Sequence, residues 1–294
     1  MCRLFAALSV ACALLPTAAS ATTLFVSSTT NGAALATALG GGGGLTINSA
    51  SVTNGAASQF GTYQGFTSPP VTIGDGVVLS TGRAIDTTAN SYSFLNFPST
   101  NTGASGTPEF DAYGPGHIAS FGDSNDVAAL MVNFTLSSAS QVGFDFIFGS
   151  VEYPTFIGTF TDSFLAFLDG TAVGSQIVFD ASNNAVQVGS TFSSALTTAD
   201  VNSAFQNPHG LLQLQTFTNT LSAGNHTILF EIGDVNDHIL DSAVFISHFH
   251  AGPGNPGTNP EGTVPEPGTC ALLGVGLTCL IAGAWRQAPI PRKP

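Results

Sequence analysis

Apolar positions along the 294-residue chain come in short runs, separated by turns of Gly, Asn, Asp, Ser and Pro. Nine runs have the length of a β-strand and are rich in Phe, Val and Ile: 71–73, 77–80, 128–136, 141–148, 163–168, 176–180, 211–217, 227–232 and 243–249. In the run 141–148, Val142 and three Phe residues at alternate positions share one face, opposite Asp145 and Ile147. A period of two is typical of a β-strand with two different faces.

Helical patterns are few, at 33–39 and, capped by Asp200, at 201–205. Many short strands with frequent turn signals favour a sandwich or barrel over a helical or α/β fold. We therefore predict an all-β domain over residues 22–250, built as a jelly-roll-like β-sandwich. Because 43% of the residues are apolar, such a domain is able to bury a substantial core.

The first 21 residues have the pattern of a secretory signal peptide. Arg3 supplies the positive start, residues 4–15 form an apolar segment, and Ala19-Ser20-Ala21 offers small residues for cleavage. The mature chain is therefore predicted to begin near Thr22, after export through the inner membrane.

The other end of the chain predicts a tether and a membrane anchor. Residues 251–267 are rich in Pro and Gly, which exclude a helix or a central strand. We predict a transmembrane helix at 268–286, because 17 uncharged residues precede Arg286 and a helix of that length spans roughly 25 Å. The basic tail at 287–294 is then expected on the cytoplasmic side.

Charge is distributed very unevenly. The chain has 18 acidic residues against five Lys and Arg, and between 22 and 265 there are 17 acidic residues and only Arg83. The net charge of this part is 1 minus 17, or −16, which excludes a nucleic-acid binder. All four Cys lie in the two terminal segments, so the exported domain is predicted to lack disulfides. Divalent cations are an obvious way to relieve the repulsion.

The C-terminal segment resembles the PEP-CTERM sorting signal of Gram-negative bacteria. The resemblance rests on Val264, Pro265, Glu266 and Pro267, followed by the apolar span and the basic cluster. It differs in the Pro-rich extension after Arg286. The resemblance implies an exosortase-type processing enzyme as partner, and a final location at the cell envelope, cell surface or extracellular matrix. Processing would make the apolar helix a transient anchor.

The domain itself resembles the choice-of-anchor L family of bacterial surface domains. Five segments and one residue carry the resemblance: 76–82, Asp126, 144–153, 162–170, 233–237 and 241–246. The aromatic strand that ends in Glu152-Tyr153 and the late Asp241-Ser242 block are its most specific parts. Val151 stands where the family usually has a first Glu. The resemblance implies architecture and location rather than a chemical activity.

Acidic residues concentrate where the predicted strands begin or end. The sequence Gly-Asp-x-Asn-Asp occurs twice, at 122–126 and 233–237, each time beside an apolar run. Oxygen-only ligands suit Ca²⁺, although neither copy has EF-hand spacing. The candidate metal ligands, expected on one rim of the sandwich, are Asp126, Glu152, Asp162, Asp234, Asp237 and Asp241. The alternative is that these Asp and Asn side chains cap turns.

Catalysis is not predicted, because the chain lacks a G-x-S-x-G elbow, an H-E-x-x-H motif and any Cys in the exported domain. Two weaker alternatives stay open: a glycosidase-like carboxylate pair, Asp162 with Glu152 or Asp169, and a transition-metal site at His248 and His250 if a carboxylate approaches. The predicted function is a structural or adhesive component of the envelope or polysaccharide matrix. A Ca²⁺-dependent carbohydrate-binding module is the alternative, although 23 Phe and one Trp favour packing over sugar stacking.

Overall fold

The computed structural model describes residues 23–68, 71–88, 98–180, 182–190, 203–205 and 210–252. The predicted signal peptide, the sorting motif, the C-terminal helix, the basic tail and most of the tether lie outside these residues, as do residues 201 and 202 of the predicted helix at 201–205. Residues 203–205 form a bridge from Ser203 to Thr88 and a turn, so the helix prediction is wrong for this part. Among the residues described, no helix is both long and apolar enough to cross a membrane.

Eleven strands and two α-helices make up the described part of the chain. The strands are β1 (Phe25–Ser28), β2 (Leu45–Asn54), β3 (Phe60–Ser68), β4 (Val71–Ser80), β5 (Ser124–Leu136), β6 (Val142–Ser150), β7 (Ser163–Leu168), β8 (Val186–Gln187), β9 (Gly210–Phe217), β10 (Gly224–Val235) and β11 (Ser242–Ala251). The helices are α1 (Gly32–Leu39) and α2 (Pro108–Tyr113), and 3₁₀ turns lie at Ala57–Gln59, Ala84–Thr87 and Val173–Ser175.

The strands form two antiparallel sheets. One has six strands in the order β1-β3-β4-β11-β6-β9, and the other has five in the order β2-β5-β10-β7-β8. From β4 to β11 the pairing runs from the outside inwards: β4 with β11, β5 with β10, β6 with β9 and β7 with β8. This is the order of a long hairpin rolled into two sheets, as in a jelly roll. The all-β, two-sheet part of the prediction is confirmed.

The main core lies between the sheets and is dominated by Phe. Phe144 of β6 meets Phe230 of β10 edge to face at 5.0 Å, and Phe146 packs on Phe164 of β7 at the same centroid distance. The alternation in β6 places its Phe side chains in this core and Asp145 on the opposite face. Contacts of this kind hold the two sheets in fixed relation, which fixes the positions of the strand ends.

Smaller apolar clusters cover the outer face of each sheet. Tyr63, Ile147 and Phe245 lie on the outside of the six-stranded sheet, and Phe110 of α2 helps to cover the five-stranded one. As a result even the outward side of the central strands is buried, which is why β6 shows no exposed residue. A polar side chain of β6, such as Asp145, is therefore cut off from water.

The strand prediction missed several elements and was wrong about one. β2 reads Leu-Thr-Ile-Asn-Ser-Ala-Ser-Val-Thr-Asn and is mostly exposed on one side, so it lacks the apolar run that marks a core strand. The run 176–180 was predicted as a strand but forms only isolated bridges, Phe167 with Gln176 and Phe179 with Ala185. The helix prediction at 33–39 is confirmed by α1, which Asn31 caps through its side chain.

Candidate functional site

All six carboxylates predicted from the sequence lie at one end of the sandwich, which we call the acidic end. Their positions are Asp126 in β5, Glu152 after β6, Asp162 before β7, Asp234 in β10, Asp237 after β10 and Asp241 before β11. Antiparallel strands of both sheets begin or end here, so residues far apart in sequence become neighbours. Their role as metal ligands stays a prediction.

The two Gly-Asp-x-Asn-Asp segments pack on each other at this end. Asp234 is opposite Asn125 in the β5–β10 ladder, and Asn236 accepts a hydrogen bond from the Gly122 N–H at 2.7 Å through Oδ1. The Asn236 backbone N–H donates to Asp123 O at 3.1 Å. The repeated sequence therefore forms one paired turn structure that places Asp126 beside Asp234.

Burial separates these carboxylates from ordinary surface acids. The exposed fraction is 0% for Asp126, Glu152 and Asp162, 1% for Asp234 and 3% for Asp241. Asp237 is half-buried. Acidic side chains are rarely found fully buried unless they are paired with a cation, a metal or hydrogen-bond donors.

Two of the six are well supplied with hydrogen bonds. Asp126 accepts from Thr102 Oγ1 at 2.6 Å and from the Ala104 N–H at 2.9 Å, and its other oxygen contacts Nδ1 of His238 at 3.0 Å. Asp162 accepts from Ser242 Oγ at 2.7 Å and from the Val235 N–H at 3.3 Å. For these side chains the turn-capping and bracing alternative accounts for the contacts seen.

Three others keep buried oxygens without a hydrogen-bond partner among the described residues. Both carboxylate oxygens of Glu152, Oδ1 of Asp234 and Oδ2 of Asp241 are in this state. The Asp162 N–H is close enough to lower the pKa of Glu152 slightly but lies outside hydrogen-bond geometry. The other oxygen of Asp241 accepts from the Thr100 N–H at 2.7 Å. An unpaired buried polar atom costs on the order of 1–3 kcal/mol, and more when it is charged. These four oxygens are the most costly atoms of the acidic end.

The carboxylates raise one another's pKa. Burial comes first and the charge of Asp162 second in raising the pKa of Glu152, and burial with the charges of Asp162, Asp241 and Asp126 raises that of Asp234 well above its ordinary value. Burial also raises the pKa of Asp241 to about 7. Such shifts mean that this end disfavours full ionisation at neutral pH.

Gly82, two residues after β4, makes room for one of these carboxylates. A Cβ atom at this position would lie 1.8 Å from Oδ2 and 2.1 Å from Cγ of Asp241. Any larger residue would displace the Asp241 side chain from the acidic end. Gly82 therefore belongs to the site, although its sequence signal was only that of a turn.

In the part of the chain that the structure describes, no three His, Cys, Asp or Glu side chains are already gathered so as to hold a metal ion. A metal at the acidic end would need rotations of the carboxylates that have free oxygens. Oxygen atoms from both sheets are available, and among the described residues His238 is the imidazole that contacts the six. The donor set fits Ca²⁺ better than Zn²⁺.

Sequence reasoning missed a further buried carboxylate. Glu231 lies in the middle of β10 on the side covered by α2, is 0% exposed, and has no hydrogen-bond partner for either oxygen among the described residues. Burial raises its pKa to about 8, against a lowering contact with the Thr107 hydroxyl that falls short of hydrogen-bond geometry, and the charges of Glu109 and Asp111 add to the rise. The alternating pattern of β10 places Glu231 on the outer face of the sheet. From the sequence alone such a position is expected to face solvent, because the covering by α2 is a tertiary contact.

At the opposite end of the sandwich, carboxylates meet imidazoles. Asp145 of β6 is 2% exposed, and its Oδ2 lies 2.7 Å from Nδ1 of His248 in β11. Asp169 after β7 lies 2.7 Å from Nδ1 of His226. The transition-metal site at His248 and His250 stays a prediction, and Asp145 is the carboxylate that contacts the first of these rings.

Two family models match the chain. The Choice-of-anchor L domain matches residues 25–249, and the PEP-CTERM protein-sorting motif matches residues 263–287. None of the curated proteins matches the chain significantly. Among solved structures, a carbohydrate-binding module specific for non-crystalline cellulose is similar at a TM-score of 0.24 and 11% identity, over 56% of this chain and 97% of that one. A likeness at that score carries no argument about this chain's ligand.

Proposed function

The chain belongs to the choice-of-anchor L domain family, and from that premise we propose that it is a non-catalytic structural or adhesive component of the bacterial cell surface, stabilised by Ca²⁺. The PEP-CTERM motif is a sorting signal for an exosortase, so the chain is an exported, surface-sorted protein. We further assign residues 1–21 as the signal peptide and a Gram-negative envelope or its polysaccharide matrix as the destination.

The observation that carries the Ca²⁺ proposal is the set of unpaired oxygens at the acidic end. Glu152, Asp234 and Asp241 are buried with free carboxylate oxygens, while Asp162 raises the pKa of both Glu152 and Asp234. A divalent cation both neutralises such charges and supplies the missing contacts. Asp126, Asp162 and Asp237 would then either bind the ion directly or orient the side chains that bind it.

Burial of the acidic end favours a structural ion over an ion that bridges to a polymer. Glu152 and Asp162 are inaccessible to solvent, so a saccharide has no route to an ion held between them. The proposed role of Ca²⁺ is to tie strand ends of both sheets together. Its contribution to adhesion would come through the stability of the surface that the sandwich presents.

A Ca²⁺-dependent carbohydrate-binding module is the second candidate, and one cavity favours it. The five-stranded sheet carries a cavity of about 480 Å³ lined by Asn48, Asn133, Asp169, Asn225, His226 and Thr227. Asn48 donates to Thr135, which in turn donates to Asn225, so these side chains are held in place. Amide and carboxylate groups fixed in this way suit sugar hydroxyls.

The test of the Ca²⁺ proposal is thermal unfolding of the purified chain in EDTA and in millimolar Ca²⁺, with Mg²⁺ for comparison. At a hundred times its dissociation constant, an ion that binds only the folded state stabilises it by about 2.7 kcal/mol. For a domain of this size we expect the unfolding midpoint to rise by roughly 5–10 °C in Ca²⁺. Equal midpoints in all three buffers would refute the Ca²⁺ site without touching the assignment as a sorted protein.

Sorting is tested separately in cells that have an exosortase. Replacing Val264, Pro265, Glu266 and Pro267 by Ala should stop processing and leave the precursor in the membrane fraction, while melting of the domain stays unchanged. Normal processing of this variant would refute the assignment of the motif.

A further inference from the structure

A second pocket lies at the end of the sandwich opposite the acidic cluster, and nothing in the proposed function uses it. It has a volume of about 700 Å³ and is lined by Ala38, Leu39, Gly40, Gly41, Gly74, Asp75, Asp145, His248, Phe249 and His250. Two imidazoles and two carboxylates therefore share one cavity. Asp75 is exposed, and Asp145 is buried behind His248.

Hydrogen bonds fix both imidazole rings in the same tautomer. Nδ1 of His250 lies 2.6 Å from the carbonyl oxygen of His248, and a carbonyl only accepts, so this nitrogen carries the proton. Nδ1 of His248 lies 2.7 Å from Oδ2 of Asp145, which is likewise an acceptor when ionised. In the neutral rings the lone pair is then on Nε2, the atom through which such a ring binds a metal ion.

This second contact of each ring is the one that metal-binding histidines usually make. Such histidines donate their other ring N–H to a carboxylate or a backbone carbonyl, which orients the ring and strengthens the ligand. Asp145 and the His248 carbonyl supply one acceptor of each kind. The arrangement goes beyond a pair of solvated histidines at a strand end.

Backbone geometry also singles out this position. The β6–β11 ladder is interrupted between Ser247 and His250, and His248 has a φ of 51°. Non-glycine residues rarely adopt the left-handed region, and such bulges often redirect side chains at functional sites. Gly74 faces the ring, and a Cβ there would lie 3.2 Å from Nε2 of His248. The glycine leaves space beside the nitrogen.

The buried carboxylate supplies the observation that points to a ligand. Oδ1 of Asp145 has no hydrogen-bond partner among the described residues, although the side chain is only 2% exposed and lines the cavity. A donor such as a metal-bound water would satisfy it. The orphan oxygen and the two oriented rings are independent features of the same pocket.

We propose that His248 and His250 bind a divalent transition-metal ion such as Zn²⁺ through Nε2, with Asp145 as the residue that positions His248. Two protein nitrogens leave the remaining coordination positions to water, because no three ligands are ready-gathered among the described residues. Imidazole nitrogen selects zinc-like ions over Ca²⁺. This site is therefore chemically distinct from the acidic end.

Calorimetric titration of Zn²⁺ into the chain, produced without a polyhistidine tag, tests the proposal. Excess Ca²⁺ is kept in the buffer so that the oxygen ligands of the acidic end are occupied. We expect one Zn²⁺ per chain, a loss of affinity of at least tenfold in His248→Ala and in His250→Ala, and roughly tenfold weaker binding in Asp145→Asn. Absence of Zn²⁺ binding by the natural chain overturns the proposal.

The matched control is His117→Ala. Nδ1 of His117 is also within hydrogen-bond distance of a backbone carbonyl, that of Tyr113 at 2.9 Å, but His117 does not line this cavity. Its replacement should leave Zn²⁺ affinity unchanged, and equal losses in all histidine variants would refute a specific site. Should a variant fail to fold, ¹⁵N resonances of the natural chain decide: Zn²⁺ must shift Nε2 of His248 and His250, and unshifted resonances reject the assignment.

Discussion

The two ends of the sandwich place their carboxylates in different surroundings. At the acidic end, Glu152, Asp162 and Asp234 lie beside one another. Burial raises the pKa of all three, and the charge of Asp162 raises the pKa of the other two further. At the other end, Asp145 and Asp169 each meet an imidazole at 2.7 Å. The same strands β6, β7, β10 and β11 run between the two arrangements.

The difference concerns what neutralises the charge. An imidazole beside a carboxylate supplies a hydrogen bond and, when protonated, a positive charge, so it neutralises the carboxylate without a metal ion between them. Carboxylates that face other carboxylates are neutralised only when they hold a proton or a cation. The acidic end should therefore respond to pH and Ca²⁺ much more than the histidine end.

The pH dependence of stability without metal should give the largest effect. The pKa of Asp241 is raised from 3.8 to about 7, so above pH 4 the folded state holds a proton that the unfolded state releases. The unfolding free energy should then fall by a few kcal/mol as pH rises from about 4 to 7 in EDTA. Urea unfolding at each pH measures this, and millimolar Ca²⁺ should reverse most of the loss at pH 7.

Constant stability from pH 4 to 7 in EDTA would break the comparison, because the acidic end would then behave like an ordinary paired surface.

Glu152→Gln should change the sign of its effect with Ca²⁺. In EDTA at pH 8 we expect the variant to be more stable than the natural chain by about 1–3 kcal/mol, since burial raises the pKa of Glu152 to about 10 and the folded chain must hold a proton there that Gln does not need. In millimolar Ca²⁺ the order should reverse, because an oxygen ligand with full charge is lost. Unfolding midpoints in both buffers measure the crossing.

Asp123→Asn is the control for this variant, since Asp123 lies at the same end but is exposed. It should behave like the natural chain in both buffers. A similar response of both variants would show that general surface charge, rather than the buried cluster, governs stability.

Gly82→Ala should damage the acidic end by crowding. The added Cβ would meet Asp241 Oδ2 at 1.8 Å, so the carboxylate must move. We expect a loss of about 1–3 kcal/mol, as for an overpacked site, together with a reduced midpoint shift in Ca²⁺. Gly174→Ala is the matched control, because its Cβ would meet nothing within 4 Å. An unaltered Ca²⁺ shift in Gly82→Ala would exclude Asp241 as a ligand.

The smallest effect is expected at the histidine end, from Asp169→Asn. Burial lowers the pKa of His226, but its hydrogen bonds to Asp169 and to the Ser222 carbonyl outweigh burial and raise the pKa overall. The contact therefore stabilises the fold below about pH 6.5 and loses this contribution as pH rises through the folded-state value. Since Asp169 is 42% exposed, we expect a change below about 1 kcal/mol at pH 6, measured by urea unfolding.

A loss at pH 8 as large as at pH 6 would show that Asp169 acts through shape, which would remove the contrast with the acidic end.

Core strands were the part of the fold that the sequence revealed best. β5, β6, β10 and β11 are buried and strongly apolar, so their runs stand out. β2 was not predicted because one of its faces is polar, and β8 was not predicted because it has only two residues. The run 176–180 was wrongly predicted as a strand because its buried residues pack without forming a ladder of paired residues. Local pattern reports burial more directly than hydrogen-bond pairing.

The candidate sites divide in the same way. The acidic strand ends and the two histidines were readable because residue types and turn positions are local properties. Burial of Glu231 under α2, the fit of Asp241 against Gly82 and the contact of Asp145 with His248 were not, since each joins residues from distant parts of the chain.

By itself the sequence determined the all-β class, the sorting motif, the excess of acid and the placing of that acid at strand ends, because composition and periodicity are written along the chain. Only the tertiary structure decided which carboxylates share a buried space and which meet an imidazole. The physical reason is that the free energy of a charge depends on its neighbours and on its distance from water. Both are set by the pairing of strands β4 to β11 into two sheets.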